Sequence, residues 1–96
     1  MIRCIKFRPY QKNTLRGFAD LELGRTGIII RDCTLHEKNG KEWVGFPARS
    51  YETKTGETAW QPIIEFAPGA DEARRQFQEQ AVSAVHQFVT AQDEVR

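Results

Sequence analysis

From Arg3 to about Phe66, apolar and polar residues alternate with the period of two that marks half-buried strands. Beyond Pro68 they recur with the helical period of about 3.6. In RCIKFR, Arg3, Ile5 and Phe7 fall on one side and Cys4, Lys6 and Arg8 on the other, giving one markedly basic face; Pro9 is expected to end this strand. In LRGFADLEL, Leu15, Ala19, Leu21 and Leu23 share a face while Arg16, Asp20 and Glu22 point away, and Phe18 is the one aromatic on the polar face.

GRTG is a turn by its glycines, and IIIRDCTLHE resumes the strand pattern. Asn39-Gly40 is the strongest hairpin signal in the chain, because a two-residue I′ turn needs positive φ at both positions; it should join IIIRDCTLH to KEWVGF. After Pro47 the polar segment ARSYETKTG reads as a longer loop leading into ETAWQPIIEF, where Pro62 marks an edge strand or bulge. Pro68-Gly69 breaks that strand. Ala73, Phe77, Ala81, Ala84, Val85 and Phe88 then form the stripe of one long helix, with Asp71 and Glu72 suited to its positive end.

These elements predict one α+β domain over residues 1–96: an antiparallel sheet of about five strands within about 2–66, closed by a C-terminal helix over about 71–91. Val82 and Val89 lie beside the main stripe. They widen the core face, and the sharper reading makes them a homodimer contact.

Composition adds little until its distribution is considered. The net charge is +1, yet residues 1–50 carry ten Lys/Arg against five Asp/Glu, and residues 51–96 carry four against eight. A basic front half suits phosphates, although a basic sheet opposed by an acidic helix gives the same totals. No run of about 18 apolar residues and no charged-then-apolar leader is present, which points to a soluble cytoplasmic protein with no membrane partner. Cys4 and Cys33 stand far apart without a Cys-x-x-Cys pair, fitting reduced thiols.

No nucleophile with a base, no paired carboxylates and no ligand-spaced His/Cys set is visible; His36 and His86 are fifty residues apart. The expectation is a non-enzyme without metal, cofactor or small-molecule substrate. What remains is basic and aromatic chemistry on a sheet. Arg49 follows Pro47 and Lys54 lies in the next loop, while Lys6 and Arg8 share a strand face. Arginine grips phosphate with a bidentate fork, and Tyr51, Trp43 and Trp60 offer stacking faces for bases. Burial is the expectation for the two tryptophans, whereas Tyr51 sits in a more open loop. Arg74 and Arg75 oppose the helix dipole, so an anion or an acidic partner is expected to meet them.

The run IIIRDCTLHEKNGKEWVGFPARSYETKTGETAWQPI resembles the central signature of the stage V sporulation protein G (SpoVG) septation regulators. The family's order is a "DI-x-V" strand, an "NG" turn, an apolar strand ending in "Pro-Ser-Lys", a "DG" hairpin and a "His-Pro-Ile" segment before the final helix. The counterparts are Arg31-Asp32-Cys33, Asn39-Gly40, Pro47-Ala48-Arg49, Thr55-Gly56 and Gln61-Pro62-Ile63. Their order, rather than any single motif, carries the likeness, which spans nearly the whole chain. It implies a homodimeric α+β regulator that binds DNA and RNA, with Arg49 standing for the DNA-binding lysine after the proline. Ala48 and Ser50 depart from the family pattern, and Trp43, Phe46 and Trp60 mark a distant member. Two alternatives stay open: a non-catalytic protein-interaction module working through the helix edge, and sequence-independent single-stranded DNA binding on the sheet face.

Overall fold

Six antiparallel strands precede one helix in the computed structural model of the chain, which describes residues 1–95. The strands are β1 (Ile2–Lys12), β2 (Leu15–Leu23), β3 (Ile28–Lys38), β4 (Lys41–Gly45), β5 (Ala48–Glu52) and β6 (Thr58–Pro62), and the helix α1 spans Asp71–Val95. The α+β architecture follows the change of period near Pro68. The strands divide into a four-stranded sheet, ordered β1-β2-β3-β4, and a separate β5-β6 ribbon.

The hairpins obey local chemistry. Asn39 and Gly40 take φ of 54° and 82°, the two positive values that a I′ turn requires, and join β3 to β4. A single 3-10 turn over Gly24–Thr26, closed by Gly27 at φ 71°, joins β2 to β3.

β1 departs from simple alternation. Cys4 pairs with Leu21 and Lys6 with Asp20, so Ile5 is an extra bulged residue. The bulge resets the faces: Cys4 is buried, Phe7 packs against the core, and Lys6 and Arg8 point the other way. Cys4 thus parts company with the two cations that strict alternation assigns to its face. The strand also continues through Pro9 to Lys12, because β1 is an edge strand and tolerates a residue without an N–H. Across from Pro9, Gly17 leaves room for the Phe7 ring; a Cβ there would collide with that ring and with the Arg8 carbonyl.

The core lies between one face of the four-stranded sheet and α1. Ala19, Leu21, Ile30, Cys33, Leu35 and Val44 meet Ala81, Ala84 and Val85, whose small side chains let the helix approach closely. Val82 and Val89 pack partly against this cluster, on the widened helix face. Burial, with the Asp20 and Asp32 carboxylates adding to it, pushes the Cys33 thiol up to about 12, and burial raises Cys4 as well. Both cysteines are free thiols.

The outer edge of β4 is sealed by a side chain. Gln78 of α1 accepts from the Val44 N–H at 2.7 Å and donates to the Val44 carbonyl at 2.8 Å, which reproduces the pairing a further strand would supply. Beside it, Phe46, Phe66 and Phe77 form a cluster with ring centroids 4.9 to 5.7 Å apart. These contacts anchor both ends of the chain segment that carries the ribbon. No helix of the described residues is long and apolar enough to cross a membrane.

Candidate nucleic-acid interface

Residues 48–52 form a strand, not the loop that their polarity suggests. Pro47 interrupts the backbone after β4, and the chain then pairs with β6 in the register Ala48↔Pro62, Arg49↔Gln61, Ser50↔Trp60, Tyr51↔Ala59 and Glu52↔Thr58. All five β5 residues are exposed, as are all of β6 except half-buried Ala59. The ribbon therefore has two solvent-facing sides and belongs to no core layer.

Pairing fixes which groups share a side. Directly opposed residues in an antiparallel pair point the same way, so Arg49 and Tyr51 stand together with Gln61 and Ala59, and Glu52 lies on the opposite side with Ser50 and Trp60. Within the paired strands the Arg49 side carries no carboxylate. The Arg49 guanidinium donates to the Gln61 amide oxygen at 3.2 Å, which orients the fork while leaving most of its donors open. Tyr51 is 49% exposed.

The ribbon tip is well defined. Gly56 N–H donates to the Thr53 carbonyl at 3.0 Å and Thr53 N–H to the Glu57 carbonyl at 2.8 Å, around Gly56 at φ 85°. This is a three-residue hairpin loop with a glycine bulge. Thr53 Oγ1 also accepts from the Glu57 N–H at 3.1 Å, so the turn presenting Lys54 is braced from inside. Glu57 closes this loop and the Glu52 carboxylate reaches to within 3.8 Å of where a Gly56 Cβ would stand, so the two cations of the ribbon, Arg49 and Lys54, are matched in formal charge by two carboxylates.

Trp60 is 67% exposed, against the expectation that it is buried; among the described residues its strand belongs to a two-stranded sheet with no layer packed over it. Trp43 does lie in the four-stranded sheet, half-buried and stacked on His36 with centroids 5.4 Å apart and planes 9° from parallel. Burial lowers the pKa of His36, whose ring nitrogens meet Thr14 and Thr34 hydroxyls at 3.0 and 2.9 Å.

The remaining expected site residues are dispersed. Lys6 and Arg8 lie on the four-stranded sheet, on the face away from α1; Arg8 pairs with Asp32 at 2.8 Å and stands over the Phe18 ring at 5.4 Å. Arg74 and Arg75 have acidic partners within the helix: Arg74 meets Asp71 at 3.5 Å, and Arg75 meets Glu72 and Glu79. Those i,i+3 and i,i+4 pairs account for two cations in the first turns without an external anion. Arg74 also reaches over Phe66, at the root of the ribbon. His86 pairs with Glu42 at 2.8 Å, and no group of three or more potential metal ligands occurs among the described residues.

Sequence patterning missed one buried polar group, Asp20. Its carboxylate accepts from the Asp32 N–H at 3.0 Å and from Arg31 at 2.9 Å, where Arg31 and Asp32 bulge out of β3 opposite it and Asp32 takes φ 58°. The Asp32 N–H, followed by the Arg31 hydrogen bond and charge, holds the Asp20 carboxyl below its ordinary pKa despite burial. No local sequence signal marks this buckle, because its acceptor and donors lie on different strands.

Comparison with protein-family models, with curated proteins and with solved structures finds no match to this chain.

Proposed function

We propose that this protein is a non-enzymatic, nucleic-acid-binding regulator of the SpoVG type that acts as a homodimer and presents the β5-β6 ribbon to DNA or RNA. The supporting observation is the ribbon itself, which places Arg49 and Tyr51 side by side on an exposed surface with Lys54 at the tip. A two-stranded ribbon fits the major groove of a duplex, and a guanidinium fork matches phosphate or a guanine edge. The position of Arg49 immediately beyond Pro47-Ala48 also matches the basic position of the SpoVG signature. A formal net charge of only +1 means that binding rests on local placement and on duplication of the ribbon by two-fold symmetry.

The test is a mobility-shift assay on duplex DNA, single-stranded DNA and RNA pools, with sedimentation to report the oligomer. Arg49→Ala is expected to weaken duplex binding and to reduce the salt dependence by about one phosphate contact, with folding unchanged. Unaltered affinity in an Arg49→Ala/Lys54→Ala variant removes the ribbon from the interface. Failure to shift any pool at low salt transfers the function to protein interaction, which exposed Trp60 and Ile63 would then serve.

A further inference from the structure

The face of the four-stranded sheet that points away from α1 carries a second constellation. Alternation from the buried residues Ala19, Leu35 and Val44 places Phe18, His36 and Trp43 on this face, in the registers Arg8↔Phe18, Phe18↔Thr34 and His36↔Trp43. Tyr10 joins them, 53% exposed and 6.0 Å from Phe18 between ring centroids. Two aromatic pairs therefore stand on neighbouring parts of one open sheet: Tyr10 with Phe18 on β1-β2, and His36 with Trp43 on β3-β4. They are separated by roughly two strand spacings, about 10 Å. The helix occupies the opposite face, and β5 and β6 pair chiefly with each other.

The charges around these rings are not balanced. The carboxylates Glu22, Asp32 and Asp20 are each engaged by an arginine, Arg3, Arg8 and Arg31 respectively. Lys6 stands on this face directly across from Asp20, whose carboxyl its charge helps to hold low, and Lys38 and Lys41 face each other across the β3-β4 ladder, beyond Trp43. Like charges directly opposed on one sheet face are unfavourable unless an anion lies between them. Rings flanked by lysines call for a ligand that offers flat π-surfaces and a phosphate chain together. A duplex hides its base faces within the stack; an unpaired strand exposes them.

We infer that this face is a stacking platform for single-stranded nucleic acid, with bases on Tyr10-Phe18 and His36-Trp43 and phosphates at Lys6 and the Lys38-Lys41 pair. The inference rests on the nucleic-acid reading for its class of ligand, but it uses none of the ribbon residues. The two sites can therefore fail separately.

The experiment follows Trp43 fluorescence in the full chain carrying Trp60→Phe, which leaves Trp43 as the single tryptophan. Short oligothymidylate and oligouridylate are expected to quench it, and a duplex of equal length is not. Tyr10→Ala, at an exposed position, should weaken the single-strand titration about five- to a hundredfold, the effect of removing one stacking partner. Lys38→Glu/Lys41→Glu should weaken it and flatten its salt dependence with no aromatic removed. Arg49→Ala should leave the quench intact whether or not it abolishes duplex binding. The proposal is overturned by an absence of quenching, by quenching that survives both the Tyr10 and the double-lysine variants, or by quenching that only Arg49→Ala removes. It is equally overturned if neither oligomer quenches and Trp43→Glu abolishes a concentration-dependent dimer, since the face then belongs to a second copy.

Discussion

Replacing Asp20 by alanine removes the acceptor for two donors at once. Asp20 is 7% exposed, and its carboxylate is the partner of the Asp32 N–H inside the β3 bulge and of the Arg31 guanidinium. A hydrogen bond from a backbone N–H to a charged acceptor contributes about 1.5–3 kcal/mol. The Arg31 end is 65% exposed, so water screens that pair and it adds at most about 1 kcal/mol. The expected loss is about 2–4 kcal/mol, or roughly 10–30 °C in Tm for a domain of this size. Urea unfolding followed by tryptophan fluorescence measures it. Asp20→Asn keeps one acceptor oxygen but not the charge and should fall between the two. The pH dependence supplies the sharper check. Asp20 has a lowered pKa in the folded state, so the unfolded chain binds more protons, and the stabilisation is present above about pH 4 and lost as pH falls through the folded value. Wild type and Asp20→Asn should therefore converge in acid. Parallel curves, or an alanine variant within about 0.5 kcal/mol of wild type, would refute the buckle as a stabilising device.

Other sites give independent tests. Gln78→Met keeps the length of the side chain but strips both hydrogen bonds from Val44, and is expected to cost about 2–3 kcal/mol by chemical denaturation; a cost near zero would mean that water replaces the amide. Gly17→Ala forces a methyl into the Phe7 ring and the Arg8 carbonyl and should destabilise by about 1–3 kcal/mol, and pairing it with Phe7→Leu should recover part of the loss. Native Cys33, fully buried with a thiol pushed up to about 12, should resist alkylation at neutral pH, and both cysteines should react once urea unfolds the chain.

The sequence made some of this legible and concealed the rest for identifiable reasons. Asn39-Gly40 and the helical stripe were readable because one turn type and one period account for them locally. β5 was not, since a strand exposed on both sides has no apolar alternation to betray it, and its segment reads as a loop. The same lack of a covering layer overturned the expectation for Trp60. In β1 the bulge at Ile5 shifts every later residue to the other face, and a strict period of two cannot register that. Arg49, Tyr51 and Lys54 are legible in the sequence as basic and aromatic groups, but their common placement depends on the β5-β6 register. Phe18, an aromatic on a polar face, was the visible trace of the open-sheet constellation; Tyr10 and His36 join it only through cross-strand neighbours.

The ends of the ribbon are register partners, Ala48 and Pro62, which puts the two points where it leaves and rejoins the body only about 5 Å apart. None of its residues belongs to the buried cluster. It is consequently a cassette: the stretch between Pro47 and Ile63 can be lengthened, shortened or exchanged for another hairpin while the helix-on-sheet body keeps its core. Selection can then act on what the arm recognises and on how firmly the body folds as two nearly separate traits.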